Sequence, residues 1–98
     1  MKFTVILGPE GDGGYSVTCP AIPGCVSQGD SLDEAIANIK EAILGCLDVR
    51  RTEGMSPPTE THKLVAEEIE NVLRDRADDG LPLTIETREV EVEAEVAV

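Results

Sequence analysis

Aromatic side chains are nearly missing from this chain of 98 residues: it has no Trp, and Phe3 and Tyr15 are its rings. Core volume therefore has to come from Ile, Val and Leu. The length is that of one domain, residues 1–98, which buries somewhat over ~60% of the surface its unfolded form exposes. Such a core is adequate rather than generous, and pairing with a second copy would extend it.

Basic residues are the second shortage. Eight Lys and Arg stand against 20 Asp and Glu, a net charge of −12. That sign argues against a phosphate backbone as partner, which needs a basic footprint. It favours a basic partner through electrostatic steering; the plainer alternative is that an acidic surface keeps the chain soluble. Four basic and eight acidic residues fall in positions 1–56, against four and twelve in positions 57–98. The second half is therefore the better candidate for meeting a basic partner, with a solvated, self-protecting strand face as the alternative.

Long apolar runs are missing too, and nothing nears the ~20 residues of a membrane-spanning helix. The chain starts directly in a strand pattern, with no leader-like segment. Cys19, Cys25 and Cys46 are odd in number and lack metal-ligand spacing. Together these features fit a reduced, cytoplasmic setting. Cys19 and Cys25 flank one turn, which allows either an oxidised pair or two small buried thiols, the second being the usual role of such residues. His62 has no partner His or Cys nearby and reads as a solvated side chain rather than a metal ligand.

What is present concentrates in residues 13–43. Tyr15, Val17 and Cys19 alternate with Ser16 and Thr18, the pattern of a strand with one buried face. Pro20 and Pro23 then bracket Ala21 and Ile22, each fixing its own φ and pushing the preceding residue to extended geometry. Gly24 completes the turn at φ > 0. Residues 25–28 form a brief strand, broken by Gly29 and Asp30. Ser31 is the N-cap of the helix that follows: its Oγ accepts from the Glu34 N–H while the Glu34 carboxylate returns to the Ser31 N–H. Leu32, Ile36, Ile39, Ile43 and Leu47, joined by Ala35, Ala42 and Cys46, then recur as one apolar stripe.

This stretch resembles the HicB-like antitoxin family. The likeness is carried by Gly14-Tyr15-Ser16-Val17, by Cys19-Pro20-Ala21-Ile22-Pro23-Gly24-Cys25, and by Gly29-Asp30-Ser31-Leu32-Asp33-Glu34-Ala35. It covers roughly the first half of the chain and the order of elements after it. The resemblance implies a small fold similar to a truncated ribonuclease H, an oligomer, and binding of a small basic toxin that cleaves messenger RNA. Many family members carry a DNA-binding segment after this domain. Here the sequence ends at Val98 in an acidic strand-like run, which speaks against DNA binding and autoregulation.

The remaining chain reads in order. Met1, Phe3, Val5 and Leu7 alternate with Lys2, Thr4 and Ile6 in a first strand. The glycine-rich residues 8–14 close a hairpin. They are not a phosphate cradle, because no lysine or helix start follows and Glu10 and Asp12 repel anions. Gly54 and the Pro57-Pro58 pair end the first helix. Thr59 or Thr61 caps a second, through about Ala77, with Leu64, Val65, Ile69, Val72, Leu73 and Ala77 as its apolar stripe. In the last element Leu83 and Ile85 alternate on odd positions and Val90, Val92, Ala94, Val96 and Val98 on even ones. That phase change predicts a bulge or bend between Thr87 and Val90. The helical crossover allows this last strand to run parallel to its neighbour, and the family resemblance places it beside the first strand.

The expected fold is α+β: a three-stranded antiparallel sheet, two helices and a fourth, C-terminal strand, in the order β-β-β-α-α-β and partially ribonuclease-H-like. No Ser-His-Asp or Cys-His constellation is readable, and the acids do not sit where a Mg²⁺-dependent nuclease would gather them. No catalytic, cofactor or metal residue is therefore expected. With the resemblance, the leading function is an antitoxin that occludes a HicA-like toxin, acting as a homodimer or homotetramer. A solitary HicB-like structural or regulatory oligomer is the alternative, and a Mg²⁺-dependent nuclease a lesser one. Asp30, Glu89, Glu91, Glu93 and Glu95 are the candidate partner-binding residues. Tyr15, Pro20, Pro23, Gly24, Asp30, Ser31 and Glu34 are the fold-determining motif.

Overall fold

A computed structural model of the protein describes residues 1–93. Its elements are β1 (Lys2–Pro9), β2 (Tyr15–Thr18), β3 (Val26–Gly29), α1 (Leu32–Thr52), α2 (His62–Asp78) and β4 (Glu86–Glu91). The strands make one sheet in the order β3-β2-β1-β4, and each neighbouring pair is antiparallel. The α+β architecture is the expected one.

The double-proline turn is two four-residue turns in succession. The Ile22 N–H donates to Cys19 O (3.1 Å) and the Cys25 N–H donates to Ile22 O (3.0 Å). Pro20 and Pro23 each occupy the second position, which their fixed φ suits. Gly24 follows Pro23 with φ 80°, the geometry of a type II turn. The turn closes over the core: Cys19, Ala21, Ile22 and Cys25 are all buried.

At the start of α1, Ser31 Oγ accepts from the Glu34 N–H at 3.1 Å. The reciprocal bond expected from the Glu34 carboxylate does not form, and Glu34 stays exposed to solvent. Ala35, Ile39, Ile43 and Leu47 bury the helix against Phe3, Val5, Leu7, Val17, Val90 and Val92 on one face of the sheet. Each fully buried Ile contributes roughly 1.5–3 kcal/mol. Gly29 is required by this packing, since a Cβ there would fall on the backbone of Ala35. Both helices end alike. The Gly54 and Met55 N–H groups return to Arg51 O and Arg50 O, and those of Gly80 and Leu81 return to Ala77 O and Arg76 O, with Gly54 and Gly80 at positive φ as C′ residues.

Two expectations for the last strand are corrected. β4 runs antiparallel to β1, not parallel. α1 leads away from the hairpin end of the sheet and α2 leads back to it, so two helices reverse the direction that one would have kept. No bulge interrupts β4 either: the register runs unbroken from Leu7↔Glu86 to Lys2↔Glu91. The phase change is absorbed before the strand begins. Leu83 lies outside the ladder at 58% exposure, and Ile85 is half-buried near Leu7, Pro9 and Tyr15. Ala94, Val96 and Val98 lie outside the described residues.

α2 crosses the opposite face of the sheet. This explains why Ile6, on the otherwise polar side of β1, is buried. Thr61 Oγ1 caps the helix by accepting from the Leu64 N–H at 3.1 Å. Its apolar stripe is only partly covered: Val65, Ile69, Val72 and Leu73 are half-buried, and Leu64 and Ala77 are exposed.

Candidate functional site

Two polar anchors hold α2 over the sheet. At its start, the Glu60 carboxylate accepts from the Thr4 N–H (2.6 Å) and the Thr4 hydroxyl (2.9 Å). β2 stops at Thr18, opposite Ile6, so the Thr4 N–H has no strand partner on that side and the carboxylate replaces one. At its end, Arg76 is 4% exposed. Its guanidinium donates to Pro82 O and Pro9 O, both at 2.6 Å. Gly8 makes room for it, because a Cβ there would collide with the guanidinium.

This placement leaves a groove between α2 and the outer face of β2 and β3, with a volume of about 370 Å³. Ile6, Val26 and Val72 supply apolar lining, and Glu10, Glu68, Asp75 and Asp79 supply carboxylates. Arg76 lies at one end with its charge directed to carbonyls. Among the described residues, none of the four carboxylates makes an ion pair or accepts a hydrogen bond through its side chain.

The residues nominated from the sequence do not converge. Asp30 follows β3 at one edge of the sheet, whereas Glu89 and Glu91 lie on β4 at the other. Glu93 comes just after β4, and Glu95 lies outside the described residues. Glu89 is paired with Lys2 at 3.7 Å and Glu86 with Arg88 at 3.0 Å, exposed pairs that contribute little to stability. Of the motif residues, Tyr15 packs against the core and Pro20 is buried, while Pro23, Gly24 and Ser31 shape the turn and the cap.

The groove acids were not nominated. Glu68, Asp75 and Asp79 recur at helical spacing along one flank of α2, a readable signal. Glu10 reaches the groove from the β1–β2 hairpin, which no spacing reveals. Arg76 interrupts the apolar stripe between Leu73 and Ala77 and looks like an ordinary surface cation in the sequence.

The three thiols are free. Burial pushes Cys19 up to about 11 from its ordinary 9.0. Burial, with the neighbouring Cys46, pushes Cys25 up to about 12. Thiols held protonated are poor nucleophiles. Among the described residues no three His, Cys, Asp or Glu side chains are grouped to hold a metal ion, and no helix is long and apolar enough to cross a membrane.

Residues 3–79 match the family model of the HicB-like antitoxins of bacterial toxin–antitoxin systems. The chain belongs to the HicB-like antitoxin family. The HicB-like chain is 56% identical over 43 residues to the UPF0150 protein Ta0767 of Thermoplasma acidophilum, covering 44% of this chain and 62% of that one. It is 38% identical over 48 residues to antitoxin HicB of Escherichia coli, covering 49% of this chain and 35% of that one. It therefore spans less than two-thirds of the length of either relative. Its fold superposes on the N-terminal domain of the Burkholderia pseudomallei antitoxin HicB with a TM-score of 0.66 and 27% identity, over 95% of this chain and 99% of that one.

Proposed function

We propose that this HicB-like chain is the antitoxin of a type II toxin–antitoxin system, binding a small, basic, mRNA-cleaving HicA-like toxin. The observation that carries the reading is family membership joined to a net charge of −12. Carboxylates on a rigid sheet-and-helix frame stand in for RNA phosphates against the toxin's Lys and Arg, and the bound domain occludes the RNA-binding surface. The protein acts in the cytoplasm as a homodimer or homotetramer.

The test is co-expression with the product of a short basic reading frame beside its gene. Co-purification as a stable complex and relief of growth arrest are expected. Arrest that persists at full antitoxin expression, with no complex recovered, refutes the reading. Assembly without any toxin gene nearby would favour a solitary structural oligomer instead.

A further inference from the structure

We propose that the groove between α2 and the outer face of β2 and β3 seats a cationic segment of the partner protein. The inference rests on the antitoxin reading and assigns it a surface. The occupant's Lys or Arg stems lie on Val26 and Val72, and their charged heads meet Glu10, Glu68, Asp75 and Asp79.

Three observations carry this. The first is shape: about 370 Å³ falls within the ~300–1,000 Å³ range of sites that hold a ligand or several side chains. The second is lining chemistry. Val26 is 64% exposed, and with half-buried Val72 it makes an apolar bed suited to the alkyl stem of a long basic side chain. The third is uncompensated charge. On β4, Glu89 is matched with Lys2 and Glu86 with Arg88, and Glu91 alone has no ion pair among the described residues. The four groove carboxylates have no such partner among the described residues. An incoming cation gains most where carboxylates are unpaired, and Glu10 and Glu68 are also half-buried. Arg76 is directed to the Pro9 and Pro82 carbonyls, and four carboxylates against this one cation leave the lining net negative. A second copy is a poor occupant of this groove, because pairing groove to groove would set the same carboxylates against one another.

The experiment compares binding of the neighbouring toxin candidate to the full chain and to two variants. E10Q/E68Q/D75N/D79N removes the groove charges, and E86Q/E89Q/E91Q removes the edge charges. The groove variant is expected to lose about 100-fold in affinity, with most of the salt dependence, while the edge variant stays within about 3-fold. Wild-type binding that survives the groove substitutions overturns the groove and leaves the antitoxin reading standing; no wild-type binding refutes both. Titration with N-acetyl-arginine amide, read by methyl NMR, provides an arm that needs no toxin. Shifts are expected at Ile6, Val26 and Val72, and shifts confined to β4 overturn the proposal. An oligomer that dissociates on the groove substitutions would make a second copy the occupant and equally overturn it.

Discussion

Replacing Arg76 with Met tests how α2 is attached. No other residue of α2 is fully buried, so Arg76 secures its C-terminal end and Glu60 its start. The guanidinium makes two bonds to main-chain carbonyls at 2.6 Å. Hydrogen bonds to a charged group are worth ~1.5–3 kcal/mol each, a gross ~3–6 kcal/mol. Burying the charge costs several kcal/mol in return, and a Met stem keeps part of the packing. The net loss is about 1–3 kcal/mol, or roughly 4–24 °C in Tm for a domain of this size. The loss is also uneven. α1 and the sheet bury the core on the opposite face, so hydrogen exchange should accelerate most in residues 62–80, and in residues 32–47 by no more than the global loss of stability. Arg76→Lys can reach one carbonyl and should recover part of the difference. A melting temperature within about 4 °C of wild type, with α2 protection unchanged, refutes this account of the anchor.

A pair of glycines gives opposite outcomes. Gly29→Ala sets a methyl against the Ala35 backbone and should cost about 2–3 kcal/mol by chemical denaturation. Gly45→Ala in α1 meets nothing within 4 Å and should stabilise by about 1 kcal/mol. The thiols predict a pH dependence. Above pH 9 the unfolded chain loses thiol protons that the folded chain keeps, so stability falls with rising pH. The fall is about 1.4 kcal/mol per pH unit for each thiol, continuing for Cys19 to about pH 11 and for Cys25 to about pH 12. Denaturation midpoints measured between pH 8 and 10.5 should slope less steeply in a Cys19→Ala/Cys25→Ala variant; equal slopes refute the burial effect.

Local chemistry determined most of the first half of this protein. The prolines and Gly24 specify their turns, Ser31 specifies a helix start, and the spacing of Ala35, Ile39, Ile43 and Leu47 specifies which side of α1 is buried. Each depends on residues within a few positions of one another, so the order of residues is sufficient to read them. The second half depended on distance. Only the folded sheet shows that β2 stops short of Thr4 and leaves an N–H for Glu60, or that Arg76 meets a carbonyl 67 positions away. Only it shows that β4 returns antiparallel after two helices, and that Glu10 joins Glu68, Asp75 and Asp79 at one groove. The carboxylates expected to act together, Asp30 with Glu89 and Glu91, lie on opposite edges of the sheet. Composition determined the sign and size of the charge. Where that charge is unpaired was decided by tertiary structure, because pairing depends on which side chains come within a few ångströms.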